Sequence, residues 1–239
     1  MTWSIVARDP ASGALGVAVA SKFFAVGALV PWVRSGVGAV ATQAMVNPMF
    51  GPHALQLLAD GTDAEQALRW LIANDAGSAA RQLHLVAADG RSAAFTGGEC
   101  VDWCGHQAGT GASVAGNMLA GPDVLDATLA GYADGAALPF AERLLHALIA
   151  GDAAGGDKRG RQSAALLVHA GEDYPALSLR VDDHPDSLAE LDRLYAVSRR
   201  DFAVYEQFLP TRANPAGITD RARLEAARRA AAEDEGADG

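Results

Sequence analysis

The sequence predicts an α+β fold in which antiparallel sheets grow from strand hairpins and the helices stand apart from them. Two pairs of short apolar runs are joined by tight-turn signals, one around Asp9-Pro10-Ala11-Ser12-Gly13 and one around Asp89-Gly90. The elements also come in the order strands, helices, strands, helices, strands, helix, so hairpins outnumber single crossovers. That favours antiparallel sheets over a doubly wound parallel one. Half of the 239 residues are apolar, enough for a sizeable core.

Trp3 to Ala7 and Leu15 to Ala20 form the first hairpin, because Pro and Gly suit its turn dihedrals. Val37 to Thr42 is a third apolar run. After the breakers Asn47-Pro48 and Gly51-Pro52, residues 53 to 58 read as helical. Thr62 as N-cap and Glu65 at N3 form a capping box, and the helix that follows puts Ala67, Leu68, Leu71 and Ile72 on one face. Gln82 to Ala88 and Arg91 to Thr96 flank the Asp-Gly turn as the second hairpin. Gly109 to Asn117 is small, Gly-rich and expected to be one strand. Asp123 to Ala133 and Leu138 to Ala150 read as helices, and Gly151 to Gly156 as a flexible loop. Ser163 to Ala170 and Leu177 to Val181 read as strands. Leu188 to Leu209 reads as a long amphipathic helix stopped by Pro210. The expected organisation is one domain over 1–210 and a charged, Ala-rich, mobile tail over 211–239.

The net charge of −10 disfavours nucleic acid and anionic lipid as partners, because both are negatively charged. Arg8, Asp9, Lys22 and Arg34 interrupt the N-terminal region, and no apolar run approaches the ~18 residues of a membrane span. The expected compartment is the cytoplasm. Two cysteines do not make a stapled secreted scaffold. Cys100, Cys104 and His106 are spaced Cys-x3-Cys-x-His with no second pair, and a structural zinc site needs about four ligands. They are expected to be buried thiols and a lone histidine, with no metal and no cofactor. The amphipathic helix from Leu188 and the charged tail can pack against a second copy, so a homo-oligomer is expected.

Thr2 is the first residue with chemical content. A small second residue permits removal of Met1, which leaves a hydroxyl and a free α-amine on one residue. An α-amine has a pKa of about 7.7–8, so near neutrality much of it can accept the hydroxyl proton. Nucleophile and base then coincide. Lys22 closes the second apolar strand and is expected beside the N-terminus, where a partly buried ammonium would lower the amine pKa. Arg34 can play the same electrostatic part or hold a substrate carboxylate. Asn117, or Gln43 and the backbone amide of Ala44, can donate to an oxyanion. Asp182, Asp183 and His184 fit a strand end before the N-cap Asp186, a structural reading.

Several ordered segments carry a resemblance. They are Thr2-Trp3-Ser4-Ile5-Val6-Ala7-Arg8-Asp9, Gly16-Val17-Ala18-Val19-Ala20-Ser21-Lys22-Phe23 and Gly36-Val37-Gly38-Ala39-Val40-Ala41-Thr42-Gln43. Further on come Ala115-Gly116-Asn117-Met118-Leu119, Gly155-Gly156-Asp157-Lys158-Arg159-Gly160-Arg161-Gln162-Ser163 and Arg180-Val181-Asp182-Asp183-His184-Pro185. Together, over residues 2 to about 195, they resemble the domain of unknown function 1028 family. The resemblance implies membership of the N-terminal-nucleophile (Ntn) hydrolase superfamily. It also implies a four-layer αββα sandwich, two antiparallel sheets between helical layers. The activity implied is hydrolysis of an amide bond in a small cyclic or N-acyl substrate, and the alternative is a ligand-binding protein that keeps the fold without the chemistry. The loop from Gly155 to Ser163 is among the segments most specific to the family, so the resemblance places Asp157, Arg161 and Ser163 at a polar substrate. The opening is also similar to the proteasome β-subunit pattern. There Ser21 falls near an acidic position and Arg34 near an essential lysine, and both depart from that pattern. On this reading removal of Met1 suffices and no self-cleavage is needed.

Overall fold

The apolar runs of the first hairpin become β1, Thr2–Arg8, and β2, Leu15–Ser21, in a register that sets Thr2 against Ser21 and Arg8 against Leu15. Asp9 closes the turn by accepting the backbone amides of Ala11 and Ser12, and Gly13 takes the left-handed φ of 75°. This computed structural model describes residues 2–109 and 111–237, without the side chains of 201 and 232–237. Met1, on whose removal the threonine reading depends, lies outside the described residues.

The next strand, β3, Pro31–Arg34, was not expected and pairs with β4, Gly38–Ala44. Helix α1, Phe50–Ala59, follows. Its Gly51 rests on the Trp32 indole, where an added Cβ would lie 2.1 Å from a ring carbon. Helix α2, Ala64–Ala73, is capped by Asp63 rather than Thr62. Asp63 is the extended residue at the helix entrance, and its carboxylate accepts the Gln66 amide at 2.9 Å. Glu65 pairs instead with Arg69 one turn on.

The second hairpin is β5, Arg81–Ala87, and β6, Ser92–Thr96. The single strand expected over 109–117 is the second arm of another hairpin, β7, Gly105–Gly109, and β8, Ala112–Asn117. Gly111 supplies a positive φ of 68° at its turn. Helices α3, Asp123–Asp134, and α4, Phe140–Ala153, precede β9, Ser163–His169, and β10, Leu177–Val181. Helix α5, Ser187–Val197, stops short of the expected run to Leu209. The Ser198 hydroxyl donates to the Tyr195 carbonyl and competes with the helical ladder. A widened turn follows over Ser198–Phe202, with Arg200 off helical dihedrals, and then the short α6, Ala203–Glu206. Asp220 caps α7, Arg221–Ala237.

The fold is mixed α+β. One antiparallel sheet has the order β10-β9-β2-β1-β8-β7 and the other β3-β4-β5-β6. Alternation along the strands sorts their side chains between two faces. Val6, Val17 and Val19 of the first sheet cluster with Ala39, Ala41 and Val86 of the second. Val40, Leu83 and Leu85 turn the other way, onto Phe50, Ala54 and Leu71 of α1 and α2. On the first sheet, Gly16 admits Leu144 of α4 so closely that a Cβ would sit 2.6 Å from its methyl group. The chain divides into two compact units, residues 1–191 and 192–239. The first holds both sheets and α1 to α4. The second holds α6 and α7. Among the described residues no helix is long and apolar enough to cross a membrane.

Candidate functional site

Strand register gathers four polar residues into one row across an end of the larger sheet. Ser21 pairs with both Thr2 and Ser163, and Thr2 pairs on its other side with Asn117. Residues paired across strands share a face, and all four are buried. On the smaller sheet Gln43 pairs with Gln82, and Gln82 with Thr96. Hydrogen bonds join the two rows. Asn117 Nδ2 donates to Gln82 Oε1 at 3.0 Å, and Gln43 Nε2 donates to the same oxygen at 2.8 Å. Gln82 Nε2 in turn reaches the Gly116 carbonyl at 2.8 Å, Thr96 Oγ1 at 2.9 Å and the Gly105 carbonyl at 3.0 Å. Ser4 Oγ, two residues further along β1, donates to Gln43 Oε1 at 2.6 Å and meets His84 Nε2 at 2.8 Å. The space between the sheets is thus polar at the Thr2 end and passes into valine and alanine beyond it. Burying this many amides is tolerable only because they satisfy one another.

Thr2 is 6% exposed, and its Oγ1 lies 3.0 Å from Ser21 Oγ. It lines a pocket of about 280 Å³ together with Gln43, Ala44 and a set of apolar side chains. Three non-glycine residues near these strand ends are left-handed. They are Ala25 beyond β2, Ala44 at the end of β4 and Met118 just after Asn117, with φ of 54°, 67° and 55°. An L-residue in that region costs about 1–2 kcal/mol, and such strain collects at functional sites.

The buried Ser4–His84 contact is not a nucleophile and its base. Ser4 gives its single proton to Gln43, so His84 Nε2 carries a hydrogen and donates to Ser4. Burial, with His106 nearby, pushes the His84 pKa down to about 3, so the ring is neutral near pH 7.

The structure redistributes the residues singled out in the sequence. Thr2, Gln43 and Asn117 come together. Gln43 cannot serve an oxyanion, because its amide hydrogens already go to Gln82 and to the Ala115 carbonyl at 3.1 Å. Asn117 spends one hydrogen on Gln82 and aims loosely at the Thr2 carbonyl, 3.5 Å away. The partly buried ammonium expected of Lys22 is instead exposed, and it donates to the Arg161 carbonyl at 3.3 Å. Arg34 does not reach the pocket. It is exposed and pairs with Gly38, whereas the pocket lies at the Val30 and Ala44 ends of β3 and β4.

The Gly155–Ser163 loop is built into the frame of the site. Asp157 has a fully buried side chain. Its carboxylate accepts the Lys22 amide at 3.1 Å and the Arg159 amide at 2.7 Å. Asp157 also bridges to Leu119, so it links Lys22, just after β2, to Leu119, just after β8. Arg161 is held by Asp152 and Asp186 through its two terminal nitrogens, so neither points at a substrate. Ser163 Oγ donates to the Phe23 carbonyl and accepts the Val26 amide at 3.1 Å, which fixes the loop that walls the pocket.

Gln82, Ser4, His84 and Ser113 escaped the sequence reading. For Ser4, Gln82 and His84 the signal was alternation: Thr2 and Ser4 in β1, and Gln82 and His84 in β5, are polar residues two apart in strands otherwise apolar except for the terminal Arg8 and Arg81. Cys100 and Cys104 are partly buried free thiols, and burial raises both pKa values. His106 Nδ1 lies 2.9 Å from Thr96 Oγ1. Among the described residues no three or more potential ligands form a metal cluster.

A model for a family of unknown function, DUF1028, matches residues 2–191. The chain belongs to the DUF1028 family. A crystal structure of another DUF1028 protein, from Silicibacter pomeroyi, is 36% identical with a TM-score of 0.86, covering 92% of this chain and 96% of that one. The ancestral β-subunit Anbu from Yersinia bercovieri is 12% identical with a TM-score of 0.38, covering 87% of this chain and 98% of its own. No curated protein matches this DUF1028 chain.

Proposed function

We propose that this DUF1028 protein is an N-terminal-nucleophile amide hydrolase in which Thr2, freed of Met1, is the nucleophile. The observation that carries this is the placement of Thr2 at the head of a central strand, buried, lining a pocket, with its hydroxyl beside Ser21. The valine-rich cluster between the sheets, with α1 and α2 packed on one and α4 on the other, supports a four-layer αββα arrangement.

In the first half-reaction the Thr2 α-amine takes the Oγ1 proton and Oγ1 bonds to the substrate carbonyl carbon. Asn117, oriented by Gln82, turns its loosely held hydrogen to the oxyanion. The tetrahedral centre collapses, the C–N bond breaks, and the proton passes from the α-amine to the leaving amine. Water then adds to the Thr2 ester with the α-amine as base. This releases a carboxylic acid and restores the hydroxyl. Asp157 and Ser163 position the surrounding strand ends and loop without touching the reacting atoms.

The test compares chain lacking Met1, verified by intact mass, with Thr2→Ala on a panel of amides. Turnover falls roughly a thousandfold or more when the nucleophile is removed, and equal turnover by the two removes Thr2 from the mechanism. A second reading, a non-catalytic ligand-binding protein, is favoured by one observation: the group beside Thr2 Oγ1 is the Ser21 hydroxyl, where a charged partner would activate it. Ligand binding without turnover by the Met-free chain would decide for it.

A further inference from the structure

The pocket beside Thr2 has a one-sided chemistry. Phe23, Val26, Leu29, Val30, Met45 and Val46 make up most of its lining, and among the described residues no Asp, Glu, Lys, Arg or His lines it. Of its two polar side chains, Thr2 is the proposed nucleophile and the Gln43 amide is spent inside the network. Among the described residues, no side chain of the wall other than Thr2 therefore has a charge or a spare hydrogen to offer a group at the far end of a ligand. Such a group would be desolvated without compensation. The entrance is apolar as well, since Phe23 and Met45 are 54% and 66% exposed.

We infer that this pocket takes the apolar acyl group of an uncharged N-acyl amide. The assignment rests on the hydrolase reading and names its substrate class. Size bounds the acyl group. An apolar cavity of about 150 Å³ holds benzene, so about 280 Å³ here has room for roughly ten carbon atoms by the same scale. Acyl groups of about six to ten carbons fill it, with the carbonyl at Thr2 and the leaving amine outside. The amine side is thus less constrained than the acyl side.

The experiment uses Met-free chain and p-nitroanilides of acetic, butyric, pentanoic, hexanoic and octanoic acids, with glutaric acid mono-p-nitroanilide as the charged counterpart of the pentanoyl compound. The kcat/KM should rise about fourfold per added methylene until the pocket is full. The pentanoyl substrate should exceed the glutaryl one at least tenfold. Met45→Trp at the rim and Leu29→Trp in the wall should shift the preference to shorter chains. Thr2-dependent turnover that is flat with chain length, or that favours glutaryl, overturns the acyl assignment and leaves the hydrolase reading standing. If no anilide is cleaved, the hydrolase reading fails and calorimetry decides the pocket by itself. Octanamide binding tenfold tighter than butanamide, weakened by Met45→Trp, upholds the apolar assignment, and absence of octanamide binding overturns it.

Discussion

Replacing Gln82 by methionine removes the group that joins the two polar rows while keeping the side chain's length. Gln82 is fully buried, and its amide takes part in five hydrogen bonds, to Gln43, Asn117, Thr96 and the carbonyls of Gly105 and Gly116. In the variant two buried donors, Asn117 Nδ2 and Gln43 Nε2, lose their shared acceptor. Gln43 keeps the Ala115 carbonyl, so its loss is partial. A buried polar group left unmet costs about 1–3 kcal/mol, and methionine returns some apolar burial, so a net loss of about 2–4 kcal/mol is expected. For a chain of this length that lowers Tm by about 5–15 °C. Urea denaturation followed by tryptophan fluorescence measures it, with an unchanged m-value as the check that unfolding still exposes the same surface. The control is Gln56→Met. Gln56 is exposed on α1 and bonds only Asp60, so it should change stability by no more than about 0.5 kcal/mol. If the two variants lose the same small amount, the polar network is not what holds this end of the sheets.

Two further outcomes follow from the same region. His84 has a folded pKa of about 3 against an ordinary 6.5, so as pH falls the unfolded chain takes up this proton first. Its contribution is therefore fully present above pH 6.5 and lost progressively toward pH 3, with a slope of up to about 1.4 kcal/mol per pH unit. Burial lowers His106 and His169 in the same sense. His84→Leu should flatten the stability profile between pH 6 and 4.5 by about one proton, and an unchanged slope would contradict the assignment. Ser163→Ala removes the tie between β9 and the Phe23–Val26 loop, at a cost of about 1–2 kcal/mol. Exchange of the Val26 amide with deuterated water should accelerate at least tenfold, and unaltered protection there would show that the loop is held by other contacts.

Strands with a clear apolar rhythm and a strong turn were legible. β1 and β2 around Asp9–Gly13, and β5 and β6 around Asp89-Gly90, fell where the pattern placed them. Short or glycine-rich strands were not, because four residues of β3 and the small side chains of β7 leave little periodicity to read. The N-cap moved by one residue because Thr62 and Asp63 both qualify chemically and only the entry angle of the chain chooses between them. Within the site, Thr2 and Asn117 were legible individually, but their adjacency depends on the pairing of β1 with β8 across more than a hundred residues. The same distance hid Gln82, whose partners lie on strands that no local pattern connects. Arg34 and Arg161 misled for a simpler reason. A sequence shows that a guanidinium is present, but not that two aspartates already hold it or that it stands at the wrong end of a strand.

Thr2 heads an inner strand, clasped by β2 on one side and β8 on the other. On the proposed mechanism, any affinity handle fused ahead of it would convert the amine into a peptide nitrogen with no basicity. Such fusions would be silent by that mechanism, so negative activity screens made with them would not test the proposed hydrolase reading. If Thr2 acts as proposed, purification handles for this chain belong at the other terminus.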